Sequence, residues 1–543
     1  MNLTVRWWSN RHAKRLMKAG IVSGLLAALP ACQLGKFRPA DPAPPLPGAF
    51  NGVATPDNSA QLRIDEFFDD PMLLNLIQQG LANNQELKIL AQNIVIAQNE
   101  ILLRTGAYLP MVGLRTGAGF DKASRFTRNG AVEEQLEIRP GKRFPDPLPD
   151  FLVAADVSWQ LDIWRKLRNA RDAAGLRYLA TAEGRNYVVT RLVADIATNY
   201  YGLLALDLRL ETLDQTIALQ QQSLEAARAK FDAGRGTELA VQRFVAEVRK
   251  NQSERLIVWQ EIIETENRIN FLAGRFPQKV ERPAVNFLDL NLRPLSVGVP
   301  SQLLQNRPDI RQAERELEAA GLEVKAARAE FFPSLTLTAN VGYEAYNPRY
   351  LFDPGAFIAG VAGNAVQPLI NRRAIQAAYG SAGARQVQAV YEYQRVIIEA
   401  VNELTNRMTT ADNYRRSIEI KKQQLQALEK SVTAATDLFA ANRVEYLEVL
   451  FVQRDLLEAR TTLIDTKRQQ LAAVINAYQS LGGGCNFAGG PATNPFPTVP
   501  VAPPTAQQSQ PPAPKETEQE KDAAAPPPPM LPEPRKVKEK DAP

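Results

Sequence analysis

The chain has 543 residues, of which 45% are apolar, a length and composition that suit a large folded body. Its formal net charge of +5 is carried by the first 31 residues, which hold basic side chains and no acidic one, so the remainder is neutral. That balance argues against nucleic acid as a partner. The only histidine is His12 and the only cysteines are Cys32 and Cys485. We therefore expect no metal site, no cofactor and no enzyme built on a Ser-His-Asp or Cys-His group.

The N-terminus predicts a signal peptide, residues 1–31, that is removed from the mature protein. A basic segment leads into an apolar run that ends at Ala31 and is too short for a stable membrane-spanning helix. The run closes on Leu-Pro-Ala-Cys, which resembles a bacterial lipobox whose cysteine, here Cys32, takes a diacylglycerol. Gln33 follows, and the resemblance then implies an outer-membrane lipoprotein with a lipidated linker over residues 32–61. The alternative is an ordinary signal peptide with an incidental cysteine.

The remainder of the chain contains a tandem duplication. An offset of 223 residues aligns NNQEL (residues 83–87) with NRPDI (306–310). An offset of 208 residues aligns FDAGRGTEL (231–239) with FAANRVEYL (439–447). The two offsets differ by 15 residues, so the first copy carries an insertion between these two anchors.

The duplication divides the chain into predicted domains. A first repeat spans 62–280, a linker spans 281–300 and a second repeat spans 301–482. The insertion falls in the polar, Pro-containing segment 121–150, which predicts a surface loop. The final segment, 483–543, is rich in proline and charge, and such a composition cannot bury a core, so we expect it to be disordered. Contact with peptidoglycan or another envelope partner is the alternative to a passive tail.

Each repeat predicts the same order of elements: helix, strand, loop, strand, very long helix, turn and long helix. The β-hairpins are predicted at 110–163 and 333–369, and the long helices at 165–272 and 373–480. Apolar residues in the first long helix recur at spacings of four and three, a heptad seam with Gln220 as its one polar member. Such a helix would run on the order of 100 Å, which suits a strut better than a globular core.

The predicted strands alternate between apolar and polar positions. They have about the 9–11 residues of a membrane-spanning β-strand, in which lipid-facing and lumen-facing side chains alternate, and Arg115 falls on the polar side. Four strands cannot close a barrel, for which about eight is the minimum, so we expect a barrel shared by two or three chains. The alternative is a small β-subdomain packed on the helices. The predicted lipid-facing residues are Val112, Leu114, Leu335, Leu337, Val341 and Tyr343.

Three segments carry a family resemblance: RIDEFFDDPMLLNLIQQGLANNQELKILAQ, LLQNRPDIRQAERELEAAGLEVKAARAEFFPSLTLT and FAANRVEYLEVLFVQRDLLEAR. They resemble TolC-type outer-membrane efflux proteins of the NodT-like lipoprotein branch, over residues 62–482. The resemblance implies a mainly α-helical protomer and a homotrimer, with a twelve-stranded membrane β-barrel and a twelve-helix periplasmic α-barrel. It also implies passive exit of drugs, toxic compounds or metal ions from a periplasmic adaptor protein and an inner-membrane transporter. The alternatives are a secretion duct for polypeptides and a non-porous coiled-coil lipoprotein.

The two helix-turn-helix tips, at residues 231–239 and 439–448, lie opposite the strands and are expected in the periplasm. Glu445 and Glu448 stand three residues apart on the helix after the second tip, and so on one helix face. In a trimer they would form carboxylate rings, a cation-selective constriction that gates the channel. The alternative is a solvated acidic face, in which case Asp437 and Glu238 are the next candidates.

The resemblance further implies a groove at the tips that receives the hairpins of the adaptor. Candidate docking residues are Gly234, Arg235, Asn442 and Arg443. Two positions depart from the family pattern. Asn442 replaces the usual glycine of the second tip, where asparagine tolerates a left-handed turn. Arg165 stands where the family has glycine after the returning strand, which puts the strand-to-helix bend in question.

Overall fold

The two repeats fold into the same succession of elements in the computed structural model, which describes residues 39–52, 55–368, 370, 372–441 and 443–485. Residues 1–38 and 486–543, with the predicted signal peptide and Cys32, lie outside the described part. The helices are α1 (Ile64–Phe67), α2 (Pro71–Asn83), α3 (Gln85–Gly106), α4 (Arg128–Glu133), α5 (Lys166–Asp232), α6 (Glu238–Leu272), α7 (Leu303–Asn306), α8 (Pro308–Ala329), α9 (Arg373–Ala440) and α10 (Tyr446–Ser480). The strands are β1 (Met111–Asp121), β2 (Glu137–Arg139), β3 (Lys142–Arg143), β4 (Leu148–Leu161), β5 (Ser334–Ala345) and β6 (Phe357–Val366).

Two very long helices, α5 with 67 residues and α9 with 68, dominate the fold. At ~1.5 Å per residue each extends about 100 Å, as the proline-free heptad pattern predicts. The seam residues Leu213, Ile217 and Leu224 of α5 are buried. The polar member of the seam is satisfied, because Asn251 Nδ2 donates to Gln220 Oε1 at 2.8 Å. Among the described residues, no helix is both long enough and apolar enough to cross a membrane.

Helix α5 lies at the centre of the helical layer, where it packs against α3, α6, α8 and α10. Helices α3 and α6 meet end to end, because the Asn84 side chain at the start of α3 donates to Leu272 O at the end of α6. Helices α8 and α10 meet in the same way through Arg307 and Ser480 O. Helix α9 packs against α8 and α10. The layer therefore ends in α3 and α6 at one edge and in α9 at the other.

The four long strands form one antiparallel sheet in the order β1–β4–β5–β6. Strand β4 of the first repeat pairs with β5 of the second, so the sheet joins the two repeats. In the described part of the chain, β1 and β6 are edge strands, each with one partner. The prediction of a mainly helical tandem-repeat fold with four long strands is confirmed, including β6, whose alternation in sequence is weak.

The connection between β1 and β4 holds more structure than the surface loop predicted from its polar sequence. It contains the short helix α4, where the Thr127 hydroxyl accepts from Gly130 N at 3.3 Å, and the two-stranded β2–β3 hairpin. Gly141, at φ +83°, makes the tight turn of that hairpin possible, and the Glu137 carboxylate accepts its N–H at 2.7 Å. Elements held by local hydrogen bonds leave no hydrophobic periodicity in the sequence, so the prediction did not include them.

The bend between β4 and α5 is retained although Arg165 replaces glycine. Arg165 has φ 57° and ψ 26°, a left-handed conformation that costs a non-glycine residue about 1–2 kcal/mol. The Asp162 carboxylate offsets this cost, because it accepts hydrogen bonds from two N–H groups of the first turn of α5 at 3.0 and 2.9 Å. Trp164 fixes the same bend, since its indole donates to Pro333 O at 2.9 Å and stacks on Phe332 at 4.7 Å.

The residues around α1 tie the N-terminal part of the chain to the helical layer. Phe67 stacks on Tyr478 of α10 with ring centroids 4.1 Å apart, and Phe68 packs edge-on against both rings. The Tyr478 hydroxyl donates to Leu62 O at 2.7 Å. These rings belong to an extended buried apolar cluster that also contains residues of α2, α3, α5 and α6.

Candidate functional site

The two helix-turn-helix tips share a backbone hydrogen bond at corresponding positions. At the first tip, Gly234 has φ +70° and Arg235 N donates to Lys230 O at 2.8 Å. At the second tip, Arg443 N donates at 2.9 Å to the carbonyl at the corresponding position, 208 residues further along the chain. Gly234, Arg235 and Arg443 are exposed. The fourth predicted docking residue, Asn442, lies outside the described residues.

Glu445 and Glu448 lie at the start of α10, but only Glu448 is on the helix. Helix α10 begins at Tyr446, and Glu445 is its N-cap residue with an extended backbone, φ −83° and ψ 159°. The expectation that both glutamates stand on the helix is therefore wrong by one residue, because the turn of the tip extends as far as Glu445. The two residues still share one turn, since Glu448 N donates to Glu445 O at 3.3 Å, and both are exposed.

A contact between the tips joins the two repeats. Lys230, near the end of α5, donates to Phe439 O near the end of α9, and its ammonium group lies 3.7 Å from the centroid of the Phe439 ring. Burial lowers the pKa of Lys230. Phe439 also packs against the buried Phe244 of α6, with ring centroids 6.4 Å apart. Lys230 is not evident from the sequence, because heptad spacing identifies a buried face and not the side chain that meets it.

The uninterrupted register of the sheet sorts the strand residues onto two faces. Residues directly opposite each other in antiparallel strands share a face, and Leu114, Ala155, Val341 and Ala359 form one such row. We call the face with this row the apolar face. Its large side chains are Val112, Leu114, Phe120, Phe151, Val153, Val157, Trp159, Leu161, Leu335, Leu337, Val341, Tyr343, Phe357 and Val361. All the residues predicted to face lipid are among them.

The opposite, polar face carries every charged residue of the four long strands. These residues are Arg115, Asp121, Asp150, Asp156 and Glu344. Arg115 pairs with Asp156, with Nε and Oδ2 3.0 Å apart. The two faces therefore differ in chemistry as the walls of a membrane channel do, because one carries most of the large apolar side chains and the other carries all the charged ones. The polar face also holds some apolar side chains, which are Met111, Leu148, Leu152, Ile358 and Val366.

Aromatic side chains lie towards both ends of the apolar face. Phe120, Phe151, Tyr343 and Phe357 lie at the end of the sheet that carries the β1–β4 and β5–β6 connections. Trp159 lies towards the other end, near the helices, where its indole donates at 3.0 Å to a main-chain carbonyl just after α3. Girdles of aromatic residues flank the apolar band of membrane-spanning β-strands in the same way.

The N-terminal linker contacts α9. Asp41 N donates to the Tyr391 hydroxyl at 3.1 Å, and Gln394 Nε2 donates to Asp41 O at 3.1 Å. Phe50 is buried in a cluster that includes Leu404 of the same helix. The predicted lipidation site Cys32 is outside the described residues, and the chain that leads to it is attached to α9.

Comparisons with known proteins agree with this architecture. The family model "Outer membrane efflux protein" matches residues 76–275 and 299–483, which is most of the chain. The cation efflux system protein CusC of Escherichia coli is 27% identical over 448 residues, which cover 82% of this chain and 94% of CusC. The toluene efflux pump outer membrane protein TtgI of Pseudomonas putida is 26% identical, with 77% of this chain and 87% of TtgI covered. The probable outer membrane lipoprotein SilC of Salmonella typhimurium is 25% identical, with 77% of this chain and 87% of SilC covered.

The fold is also similar to that of solved structures. Against a crystal structure of CusC the TM-score is 0.72 at 24% identity, and the match covers 83% of this chain and 99% of CusC. Against the outer-membrane channel OprN the TM-score is 0.71 at 22% identity, with 83% and 98% covered. The chain belongs to the outer membrane efflux protein family and is the outer-membrane channel component of an efflux system.

Proposed function

We propose that three copies of this chain assemble around one axis into a channel that gives small molecules passive exit from the cell envelope. Their strands close a twelve-stranded β-barrel in the outer membrane, and their long helices form a twelve-helix α-barrel in the periplasm. The observation that carries this proposal is that one chain has two open edges. Strand β1 and helices α3 and α6 form one edge, and strand β6 and helix α9 form the other. Because strand edges cannot stay open in lipid, β6 of one copy pairs with β1 of the next.

The helical edges support the same assembly, because they carry large apolar side chains that a monomer would leave in water. Leu103 of α3 is 66% exposed and Ile420 of α9 is 68% exposed. Other exposed apolar residues on these helices are Ile89, Ile96, Leu256, Ile257, Trp259, Ile398 and Leu438. Extended apolar surface of this kind favours an interface. A contact between two different edges, repeated from copy to copy, closes into a ring when the rotation allows it.

The apolar face of the sheet is assigned to lipid and the polar face to the channel lumen. The alternation across an unbroken register supports this assignment, as do the aromatic residues at both ends of the apolar face. The reverse assignment would put Arg115 and Asp156 in hydrocarbon, where an arginine at the midplane costs about 2–4 kcal/mol. The lipid-facing residues proposed are Val112, Leu114, Leu335, Leu337, Val341 and Tyr343.

A lipid anchor at Cys32 fits the attachment of the linker to α9. Asp41 lies nine positions after Cys32, and an extended chain of that length spans at most about 30 Å. Tyr391, the partner of Asp41, lies 18 residues from the first residue of α9, which is about 27 Å along the helix. The acyl chains of Cys32 can therefore reach the level at which β6 joins α9, where the membrane surface is expected. Two or three acyl chains anchor a protein stably.

The helical tips are assigned to periplasmic docking and gating. They lie at the ends of α5 and α9 opposite the strands, and their turn residues are exposed. In a trimer Glu445 and Glu448 supply six carboxylates to the periplasmic mouth, which favours cations at that constriction. The adaptor protein is proposed to dock on Gly234, Arg235, Asn442 and Arg443, and it links the channel to an inner-membrane transporter.

The substrates proposed are small molecules or ions. CusC is named for cation efflux and TtgI for toluene efflux, so relatives of similar identity serve chemically different substrates. A passive duct has no need to recognise its load tightly, because selection belongs to the transporter and the adaptor. Drugs, toxic organic compounds and metal ions all fit this role.

The test is to purify the full chain in detergent and to measure its mass, its migration with and without heating, and its conductance in planar bilayers. We expect a heat-modifiable trimer that conducts. A monomer without conductance would overturn the channel and favour a structural coiled-coil lipoprotein. A deletion strain that accumulates small toxic compounds while secreting polypeptides normally supports efflux, and the reverse outcome would favour a secretion duct.

A further inference from the structure

We infer that Arg115 and Asp156 form a charge-compensated, selectivity-determining pair in the wall of the barrel lumen. The inference rests on the proposed function, because it takes the polar face of the sheet as the lumen wall. In a trimer the pair occurs three times at one level of the barrel. Its proposed role is to keep that level near zero net charge, so that neither cations nor anions are turned back.

The pair is joined by a close ion contact and one charged hydrogen bond. Arg115 Nε lies 3.0 Å from Asp156 Oδ2, and the guanidinium also donates to Asp156 Oδ1 at 3.4 Å. The residues lie on neighbouring strands, β1 and β4, and face the same side of the sheet. Their side chains are 57% and 38% exposed, so an ion in the lumen can approach both.

The neighbours of the pair in these strands are mostly small, and none is charged. Asp156 lies in a row with Gly113, Asn340 and Gly360. Arg115 lies in the adjacent row of the same face, together with Ala154, Gly342 and Ile358. Within these two rows no other residue carries a charge, and the remaining charged strand residues lie nearer the end with the β1–β4 and β5–β6 connections. Ile358, on β6, is the one large apolar side chain in these rows, and the residues directly beside the pair on β1, β4 and β5 are small or polar.

The charge balance of this level therefore depends on two residues. Loss of Asp156 leaves three uncompensated guanidinium groups, which attract anions and repel cations. Loss of Arg115 leaves three carboxylates, with the opposite effect. Loss of both restores an uncharged level. A structural ion pair without a role in selectivity would give no such change of sign.

The experiment places a thiol reporter beside the pair and avoids the periplasmic constriction. Thr338→Cys puts the reporter on the polar face, diagonally across from Asp156 and about 7–8 Å from it. The background is Cys485→Ser, and the same background without Thr338→Cys measures any labelling that does not come from the reporter. Matched cationic and anionic thiosulfonate reagents of equal size are added to the outer side of reconstituted trimers at low ionic strength.

Asp156→Asn should raise the rate for the anionic reagent and lower it for the cationic one, by about two- to threefold each. Arg115→Gln should shift both rates in the opposite direction. The double variant should return the ratio of the two rates to that of the parent, and trimer yield on gels shows that each variant assembles.

The outcomes separate this inference from the function on which it rests. If the reporter reacts in assembled trimers but neither single variant changes the ratio of the rates, the pair does not determine selectivity and the channel assignment stands. If the reporter is inert to both water-soluble reagents in assembled trimers and a Leu337→Cys reporter reacts instead, the polar face is not the lumen. Both the facing and this inference are then overturned.

Discussion

Asn84 and Arg307 hold corresponding positions in the two repeats, and each donates a side-chain hydrogen bond to the last residue of a long helix. Asn84 Nδ2 lies 3.0 Å from Leu272 O, and Arg307 Nη1 lies 2.9 Å from Ser480 O. The duplicated chain thus keeps one joint between helices and changes its chemistry, from a neutral amide in the first repeat to a guanidinium in the second. The second joint depends on a buried charge.

Arg307→Met should destabilise the protein. Arg307 is 4% exposed and pairs with Asp309 at 2.7 Å and with Glu403 at 3.0 Å. Removal of one partner from a buried ion pair costs about 3–5 kcal/mol, because the remaining charges are left uncompensated. The measurement is denaturant unfolding of the detergent-solubilised protein. Arg395→Met is the matched control, since Arg395 pairs with Glu392 and Glu399 on an exposed helix surface. Equal losses in the two variants would contradict the role given to burial.

Leu337→Arg should reduce the amount of assembled trimer much more than Thr338→Arg. The two residues are adjacent in β5, with Leu337 on the apolar face and Thr338 on the polar face. An arginine on the lipid face near the midplane costs about 2–4 kcal/mol in each chain. Trimer yield in outer-membrane fractions is the measurement. Equal losses, or a greater loss for Thr338→Arg, would mean that the facing is reversed or that the strands are not in a membrane.

The double variant Glu445→Gln and Glu448→Gln should lower cation selectivity and weaken block by a trivalent cation added from the periplasmic side. Carboxylates gathered at a narrow mouth attract cations. Trimer yield should not change, since both residues are exposed and exposed charges contribute little to stability. Single-channel recording with the cation on either side is the measurement. Glu238→Gln, at the first tip, is the control, and a change in block for that variant alone would move the constriction there.

The thiol of Cys485 should be almost unreactive in the folded protein. It is partly buried and donates to Asn186 O at 3.6 Å, and burial raises its pKa to about 11. At pH 8 the thiolate fraction is then about two orders of magnitude below that of a free cysteine, so alkylation should be slow until the protein unfolds.

The folded state holds the proton of the Cys485 thiol more tightly than the unfolded state. Stability from this group is therefore present below the ordinary cysteine pKa and is lost as pH rises towards 11. Fast alkylation of the native protein at pH 8 would contradict the burial.

Cys32→Ser should abolish palmitate labelling and signal cleavage at this site without preventing trimer formation. The strands are themselves a membrane anchor in the proposed assembly, so export should persist. Metabolic labelling with palmitate measures the first effect and heat-modifiable migration the second. Cys485→Ser should label as the parent does. Labelling that persists in Cys32→Ser would reject the lipobox.

Much of the fold could be predicted because it depends on periodic patterns. Heptad spacing and the lack of proline predict α5, α6, α9 and α10, and alternation predicts the two faces of the sheet. Strand β4 begins earlier than its pattern suggests, at Leu148, although Pro149 follows. The pairing of β4 with β5 ends where Phe151 lies opposite Ala345, so Pro149 lies beyond it. Because Pro149 has no partner in β5, the N–H that proline lacks costs no hydrogen bond on that side.

The details of the candidate site were less accessible from the sequence. Whether Glu445 lies on α10 or before it depends on where a turn ends, and helix boundaries are weakly encoded. The contact between Lys230 and Phe439 joins residues 209 apart in the chain, and neither spacing nor composition identifies such a partner. The left-handed Arg165 depends on the side chain of Asp162, a local hydrogen-bonding arrangement that replaces the permissive backbone of glycine.

The strand order β1–β4–β5–β6 has a consequence for the concentration at which the channel can form. In the proposed trimer, two kinds of strand pairing alternate around the barrel. One joins β4 to β5 within a chain, and the other joins β6 of one chain to β1 of the next. Both join the last strand of one repeat to the first strand of the following repeat. At equilibrium the amount of a ring built from six separate hairpin units depends on the sixth power of their concentration, whereas a ring of three fused pairs depends on the third power. The pairings between β4 and β5, which are half of those between repeats, then form at an effective concentration set by the connecting chain. Fusion of the repeats thus lowers the protein concentration at which closed rings outnumber incomplete ones.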